Sequence, residues 1–255
     1  MSKPFRKAAA LTVVLAVGAC ATASALTGQI GPLVVSTTAT VQPRELPKSG
    51  GAPITLRSVT RVNTKDGSTP PALKELQFLI DKHGRVNSKV FPVCPRAKLE
   101  NATSSQARKR CAGALVGKGT GKALVTMPGR APFRLSFPLS FFNSSPTGGK
   151  PTLIAHAYET VPTPKALLVP IVIEPVAGGR YGFRTKVEMP EIAGGYGVPL
   201  LAEATVGATR KRGGRETGYI EAYCAGGRLQ VEGSLNFANG DTFPATLTSP
   251  CHFPR

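Results

Sequence analysis

The feature that most constrains this chain is its punctuation. From Val34 onward, short runs of alternating apolar and polar residues recur, each closed by Gly, Pro or an Asn-Gly turn. The run at 54–62 shows the pattern, with Ile54 and Leu56 set against Thr55 and Arg57. A period of two sends alternate side chains to opposite faces of a strand. Comparable runs lie at 34–41, 73–80, 85–91, 123–127, 133–142, 152–161, 166–173, 180–189, 200–206, 219–224, 228–237 and 243–247. Asp81-Lys82-His83-Gly84 reads as a hairpin turn joining two of them, with Gly84 supplying a positive φ, and Asn239-Gly240-Asp241 reads as another. Gly178-Gly179 and Gly213-Gly214 mark further turns. One helix is expected from Ser105 to Leu115, capped by Thr103 or Ser104 and stopped at Gly117. About a dozen short strands with one helix predict an all-β β-sandwich, immunoglobulin-like or jelly-roll-like, with a short helix around 104–115. No long linker interrupts the strands, so 26–255 is expected to form one sandwich domain, with two packed subdomains as the alternative.

The N-terminus reads as an export signal over 1–25. Lys3, Arg6 and Lys7 make a positive start, and an apolar stretch from Ala8 to Ala19 follows. That stretch is too short to span a bilayer. Ala23-Ser24-Ala25 is a small-x-small cleavage site that leaves Leu26 as the first mature residue. A second cut competes with it. Val17-Gly18-Ala19-Cys20 resembles a bacterial lipobox, in which Cys20 would be acylated and tether the protein to the outer face of the membrane.

Cysteine usage agrees with export. Of five cysteines, Cys20 lies in the signal, and Cys94, Cys111, Cys224 and Cys251 remain. Four cysteines in an exported chain suggest two disulfides. Three pairings are open, and proximity favours Cys94–Cys111 and Cys224–Cys251. A zinc site is disfavoured, because no pair has the short gap of a zinc knuckle and only His252 stands near a cysteine.

Charge bears on partners. The chain has 32 Lys+Arg against 14 Asp+Glu, a net +18. Removing 1–25 leaves 29 basic and 14 acidic residues, a net +15. Two clusters stand out: Arg108-Lys109-Arg110 on the predicted helix, and Arg210-Lys211-Arg212 with Arg215 around a Gly-Gly turn. Both suit anionic cell-wall polymer or membrane headgroups, and the plain alternative is a solvated turn and helix face. Nucleic acid is a poor fit, because export removes the usual target and no aromatic interleaving offers a stacking platform. The absence of Trp and the presence of only five Tyr also weaken sugar binding; Tyr181, Tyr196, Tyr219 and Tyr223 are the residues available for such a patch.

Several stretches together resemble a set of uncharacterised exported proteins of high-GC Gram-positive bacteria. They are Pro71-Ala72-Leu73-Lys74-Glu75-Leu76, Ile80-Asp81-Lys82-His83-Gly84-Arg85-Val86-Asn87 and Pro92-Val93-Cys94. Ala107-Arg108-Lys109-Arg110-Cys111, Ala114-Leu115-Val116-Gly117-Lys118-Gly119, Glu191-Ile192-Ala193-Gly194-Gly195 and Cys224-Ala225-Gly226-Gly227-Arg228-Leu229-Gln230 join them. The resemblance covers most of the chain after the signal. It implies an exported all-β protein with paired cysteines, and no reaction.

Catalytic patterns are weak. Gly117-Lys118-Gly119-Thr120-Gly121-Lys122 imitates a phosphate loop. Yet Val116 stands where the first Gly belongs, Ala123 follows Lys122, and a strand follows. The expectation is a helix stop and a flexible strand start. Of the three histidines, His83 is expected to be solvated in its turn, and His252 lies beside the last Cys. His156 is the best catalytic candidate, on a strand face with Ile154 and Tyr158, yet no Gly-x-Ser-x-Gly elbow accompanies it. Asp66, Asp81 and Asp241 all fall in Gly-containing turns, which account for them. No catalytic, cofactor or metal residue is therefore assigned. The expected function is a non-catalytic extracellular interaction module with a basic surface. A secreted hydrolase whose site is assembled from distant strands is the alternative, and His156 is its one concrete residue.

Overall fold

The protein is described by a computed structural model covering residues 24–254. Residues 1–23, which hold most of the stretch read as an export signal together with Cys20, lie outside the described residues. In chain order the strands are β1 (Ser24–Ile30), β2 (Leu33–Gln42), β3 (Ala52–Pro53), β4 (Thr55–Thr64), β5 (Leu73–Asp81) and β6 (Gly84–Val86). After the helix α1 (Ser104–Arg110) come β7 (Leu115–Val125), β8 (Phe133–Thr147), β9 (Lys150–Glu159), β10 (Lys165–Val172), β11 (Glu174–Pro175) and β12 (Tyr181–Glu188). The series ends with β13 (Gly197–Val206), β14 (Thr209–Arg212), β15 (Arg215–Gly218), β16 (Ile220–Ala222), β17 (Arg228–Phe237) and β18 (Thr242–Pro250).

Two antiparallel sheets make the sandwich. The larger has eight strands in the order β1-β2-β4-β13-β7-β8-β9-β10, and the smaller has five, β11-β12-β5-β17-β18. A three-stranded patch, β3-β16-β6, and the hairpin β14-β15 complete the set. The all-β expectation holds, and alternation explains it strand by strand. In β9, Leu153 and Ala157 turn inward to the facing sheet, while Ile154 and His156 turn outward under α1. Between the sheets, Leu33, Val35 and Val62 pack against Leu235, Phe237 and Phe243.

Two local expectations are corrected. Residues 81–84 make a tight turn but not a hairpin: β5 pairs with β12 and β17, whereas β6 pairs with β16. Gly84 has no positive φ. The chain changes sheets here, and each strand satisfies its backbone with distant partners. The helix is also shorter than expected. Thr103 caps it in a reciprocal box with Gln106, but it ends at Cys111 rather than at Gly117. The bridge from Cys111 to Cys94 holds that residue, one 3₁₀ turn (Ala112–Ala114) follows, and β7 begins at Leu115. By contrast Gly240, with φ 90°, does turn β17 into β18.

Both disulfides have the favoured pairing. Cys94–Cys111 has Cα atoms 5.6 Å apart and Cys224–Cys251 5.9 Å apart. The first closes the outer layer, where Leu99, Ala102 and Ala107 cover Phe142 and Ile154 of the large sheet. The second ties the end of β16 to the end of β18 beside Leu46, Ile54 and Leu229. Among the described residues, no helix is long and apolar enough to cross a membrane. β1 pairs with β2 from Ser24↔Ala39 onward, so a cut after Ala25 would remove its first two pairings.

Candidate functional site: a basic face beside the outer helix

The outer layer is anchored by one buried amide. Asn143 in β8 is fully buried, and its Nδ2 lies 3.0, 3.2 and 3.0 Å from the carbonyl oxygens of Ser88, Phe91 and Pro92. Its own carbonyl accepts from Cys94 N (2.9 Å), and Tyr219 Oη donates to its Oδ1 (3.3 Å). A buried polar group is tolerated only when its hydrogen bonds are met, and here they hold residues 88–94 as they pass from the interior to the outer face. Asn143 was not singled out from sequence. Its signal was a lone amide following an apolar run that ends in Phe141-Phe142.

Both basic clusters lie on elements beside that layer. Arg108, Lys109 and Arg110 form the exposed last turn of α1. Cations there also sit favourably against the carbonyl end of the helix. The β14-β15 hairpin turns through Gly213 and Gly214, both at positive φ, and carries Arg210, Lys211, Arg212 and Arg215. The guanidinium of Arg210 lies over the Phe91 ring, 6.0 Å from its centroid, and its Nη2 lies 3.9 Å from where a Cβ on Gly113, in the turn after α1, would stand. Arg210 is thereby brought beside the segment that follows α1. Among the described residues, Arg108, Lys109, Lys211 and Arg215 have no carboxylate within ion-pair distance, whereas Arg96 pairs with Glu100.

His156 is fully buried beneath α1, edge-on to Phe142, with Nε2 donating to the Ala102 carbonyl at 2.9 Å. None of the principal cavities reaches it. Burial pushes its pKa below the ordinary 6.5, so the ring stays neutral. The linkage has a definite sign. The unfolded chain takes up a proton near pH 6.5 and the folded chain does so only at lower pH. Stability from this site is thus complete above pH 6.5 and declines as pH falls toward the folded value. His156→Gln is expected to flatten the urea-midpoint profile below pH 6.5, removing up to about 1.4 kcal/mol per pH unit of wild-type slope.

The other sequence candidates separate. His83 is half-buried rather than solvated, edge-on to Tyr223 with centroids 4.9 Å apart. His252 is exposed beside Glu45. Asp81 exceeds its turn role. It is 3% exposed, accepts from the backbone of His83 and Gln230, and pairs with Arg180. Asp66 does act as a turn residue, accepting from Ser68 N, whereas at the second turn Asn239 Oδ1 accepts from Asp241 N and the Asp241 carboxylate accepts from the Asn239 amide. No tyrosine patch forms, because Tyr219 is fully buried and only Tyr196 is largely exposed. The phosphate-loop mimic lies wholly within strand β7. Gly119 approaches β13 so closely that a Cβ would stand 1.9 Å from the Glu203 carbonyl oxygen, and Gly121 sits under the Phe137 ring. Its glycines serve strand contact, and no helix N-terminus follows them.

Two more carboxylates are buried and paired. Glu221 meets Arg85 and accepts from Gly218 N, and Glu159 meets Lys165 (3.2 Å) and Ala193 N (2.8 Å). Burial alone would raise the Glu221 pKa, but Arg85, Asn87 and the Gly218 amide outweigh it and hold the group below its usual range. Among the described residues, no group of three His, Cys, Asp or Glu is placed to hold a metal. No family model matches the chain, and comparison with curated proteins and with solved structures finds no similar one.

Proposed function

We propose that this protein is an exported, non-catalytic interaction module that sits against an anionic surface. Cell-wall polymer and membrane headgroups are the partners whose chemistry fits. The observation that carries this reading is the position of Arg210 beside Gly113, which brings the hairpin near the end of α1; Arg108, Lys109, Lys211 and Arg215 are outside ion-pair distance of any carboxylate among the described residues, although Glu216 stands across the hairpin from Lys211. Clustered unpaired cations attract polyanions and weaken with salt. Export is supported by the two disulfides, which persist in oxidising compartments, and by the N-terminal pattern. The intact mass of the exported protein separates the two cuts. A start at Leu26 without lipid is expected, and an acylated Cys20 would mean a membrane-anchored form. The hydrolase alternative loses its one concrete residue with the burial of His156, and no other observation favours it.

The combined change Arg108→Ser, Lys109→Ser, Lys211→Ser and Arg215→Ser tests the face. Retention on anionic vesicles is expected to fall by at least about tenfold at low salt. Each exposed change is expected to alter stability by no more than about 0.5 kcal/mol, so an unchanged melting temperature assigns the loss to charge.

A further inference from the structure

The space between the two sheets is not filled. Three apolar cavities, of about 100, 140 and 90 Å³, lie along it. The first and third share Met189, Pro199, Leu201 and Ala202 in their walls, and the first and second share Val231. Close-packed interiors hold few voids larger than a water molecule. A row of such voids with common walls therefore needs a cause in the sequence.

Register supplies that cause. Across the large sheet, Thr37, Thr60, Ala202 and Gly121 are successive partners on β2, β4, β13 and β7. They look inward, since Thr37 follows the buried Leu33 and Val35 at spacing two and Gly121 lies under Phe137. On the opposite sheet, Gly233 is partnered by Ala245 on one side and Phe78 on the other. Five of these seven positions lack anything larger than a threonine methyl, apart from Phe78 and the Gly121 site that Phe137 overhangs. Facing rows of small residues hold the sheets open as a trough. Ala202 is exposed although strands flank it on both sides and it faces inward, so the trough is reached from outside at this residue.

The walls also say what would fit. Thr37 and Thr60 hydrogen-bond each other at 3.0 Å. Asp81 and Glu221, at the far cavity, are held by Arg180 and Arg85. Apart from the exposed Lys122 in the wall of the third cavity, the polar groups of the walls thus have partners already, and the rest of the surface is aliphatic or aromatic. An occupant gains only by burying apolar surface. The cavities lie in a row, which suits a linear chain better than a compact ring.

We propose that the inter-sheet trough is a binding site for a single aliphatic chain of a lipid, entered beside Ala202. This does not depend on the anionic-surface reading, because it uses other residues and another force. The test uses the full exported protein with both disulfides intact, titrated with the fluorescent fatty acid cis-parinaric acid. Saturable one-site binding is expected, displaced by unlabelled dodecanol and insensitive to salt. Ala202→Leu and Ala245→Leu fill the trough from opposite sheets, and either folded variant is expected to weaken binding by at least about tenfold. Ala202→Ser changes the wall without filling it and keeps the site readable if a larger variant does not fold; it is expected to bind within about threefold of wild type. Absence of saturable binding by the wild type, or wild-type affinity in a folded Leu variant, overturns the proposal.

Discussion

Replacing the four bridging cysteines with alanine is expected to lower the unfolding free energy by about 6–7 kcal/mol, the largest effect any change in this protein should produce. The sequence separations, 17 for Cys94–Cys111 and 27 for Cys224–Cys251, set the two contributions. Each bridge restricts the unfolded chain by about 3–3.5 kcal/mol in the chain-entropy picture. Domains of ordinary stability have about 5–15 kcal/mol in all, so the loss removes from about two-fifths to all of it. The bridges differ in what they hold. Losing Cys94–Cys111 should loosen the layer that includes Leu99, Ala102 and Ala107, and amide exchange should rise there first. Losing Cys224–Cys251 should loosen the corner around Leu46, Ile54 and Leu229. Urea unfolding with and without reductant reads the total; a loss below about 1 kcal/mol would mean that the bridges do not brace the fold.

The second large effect comes from a single methyl group. Gly119→Ala would put a Cβ 1.9 Å from the Glu203 carbonyl oxygen, and no flexible side chain is there to move aside. β7 and β13 pair along Gly197–Val206, so separating them disturbs the centre of the large sheet. Overpacking usually costs about 1–3 kcal/mol, and a clash with backbone should reach or exceed the top of that range. Lys118→Ala, next in the same strand but exposed, should change stability by less than about 0.5 kcal/mol. The pair also tests why the phosphate-loop mimic exists. If its glycines serve strand contact, nucleoside triphosphates should not shift the melting temperature.

Much of this architecture was legible because a strand writes its own period. The runs at 54–62 and 228–237 correspond to β4 and β17 within a residue or two. The cysteine pairing was legible too, since each pair closes a short loop. Partner choice was not. Alternation marks 73–80 as a strand but cannot say that it lies between β12 and β17 rather than against β6, because pairing is decided by packing far along the chain. β1 went unread because it begins within the stretch assigned to the export signal. Each basic cluster was visible as a local run. The nearness of the hairpin to the end of α1 was not, since it depends on Asn143 fixing residues 88–94 and on Arg210 lying over Phe91. The burial of His156 followed from the same layer, because α1 folds back over a strand face that alternation alone leaves open.

Retention of the intact protein on immobilised polyphosphate as salt rises tests an anionic partner most directly. The screening length shrinks from about 10 Å at 0.1 M to about 3 Å at 1 M, so binding through exposed cations should collapse over that range. Strong retention at low salt, release well before 1 M, and loss of retention in the Arg108, Lys109, Lys211 and Arg215 variant are the predicted results. Retention that does not change with salt, or that the variant shares with the wild type, would contradict an anionic partner held by the face beside α1.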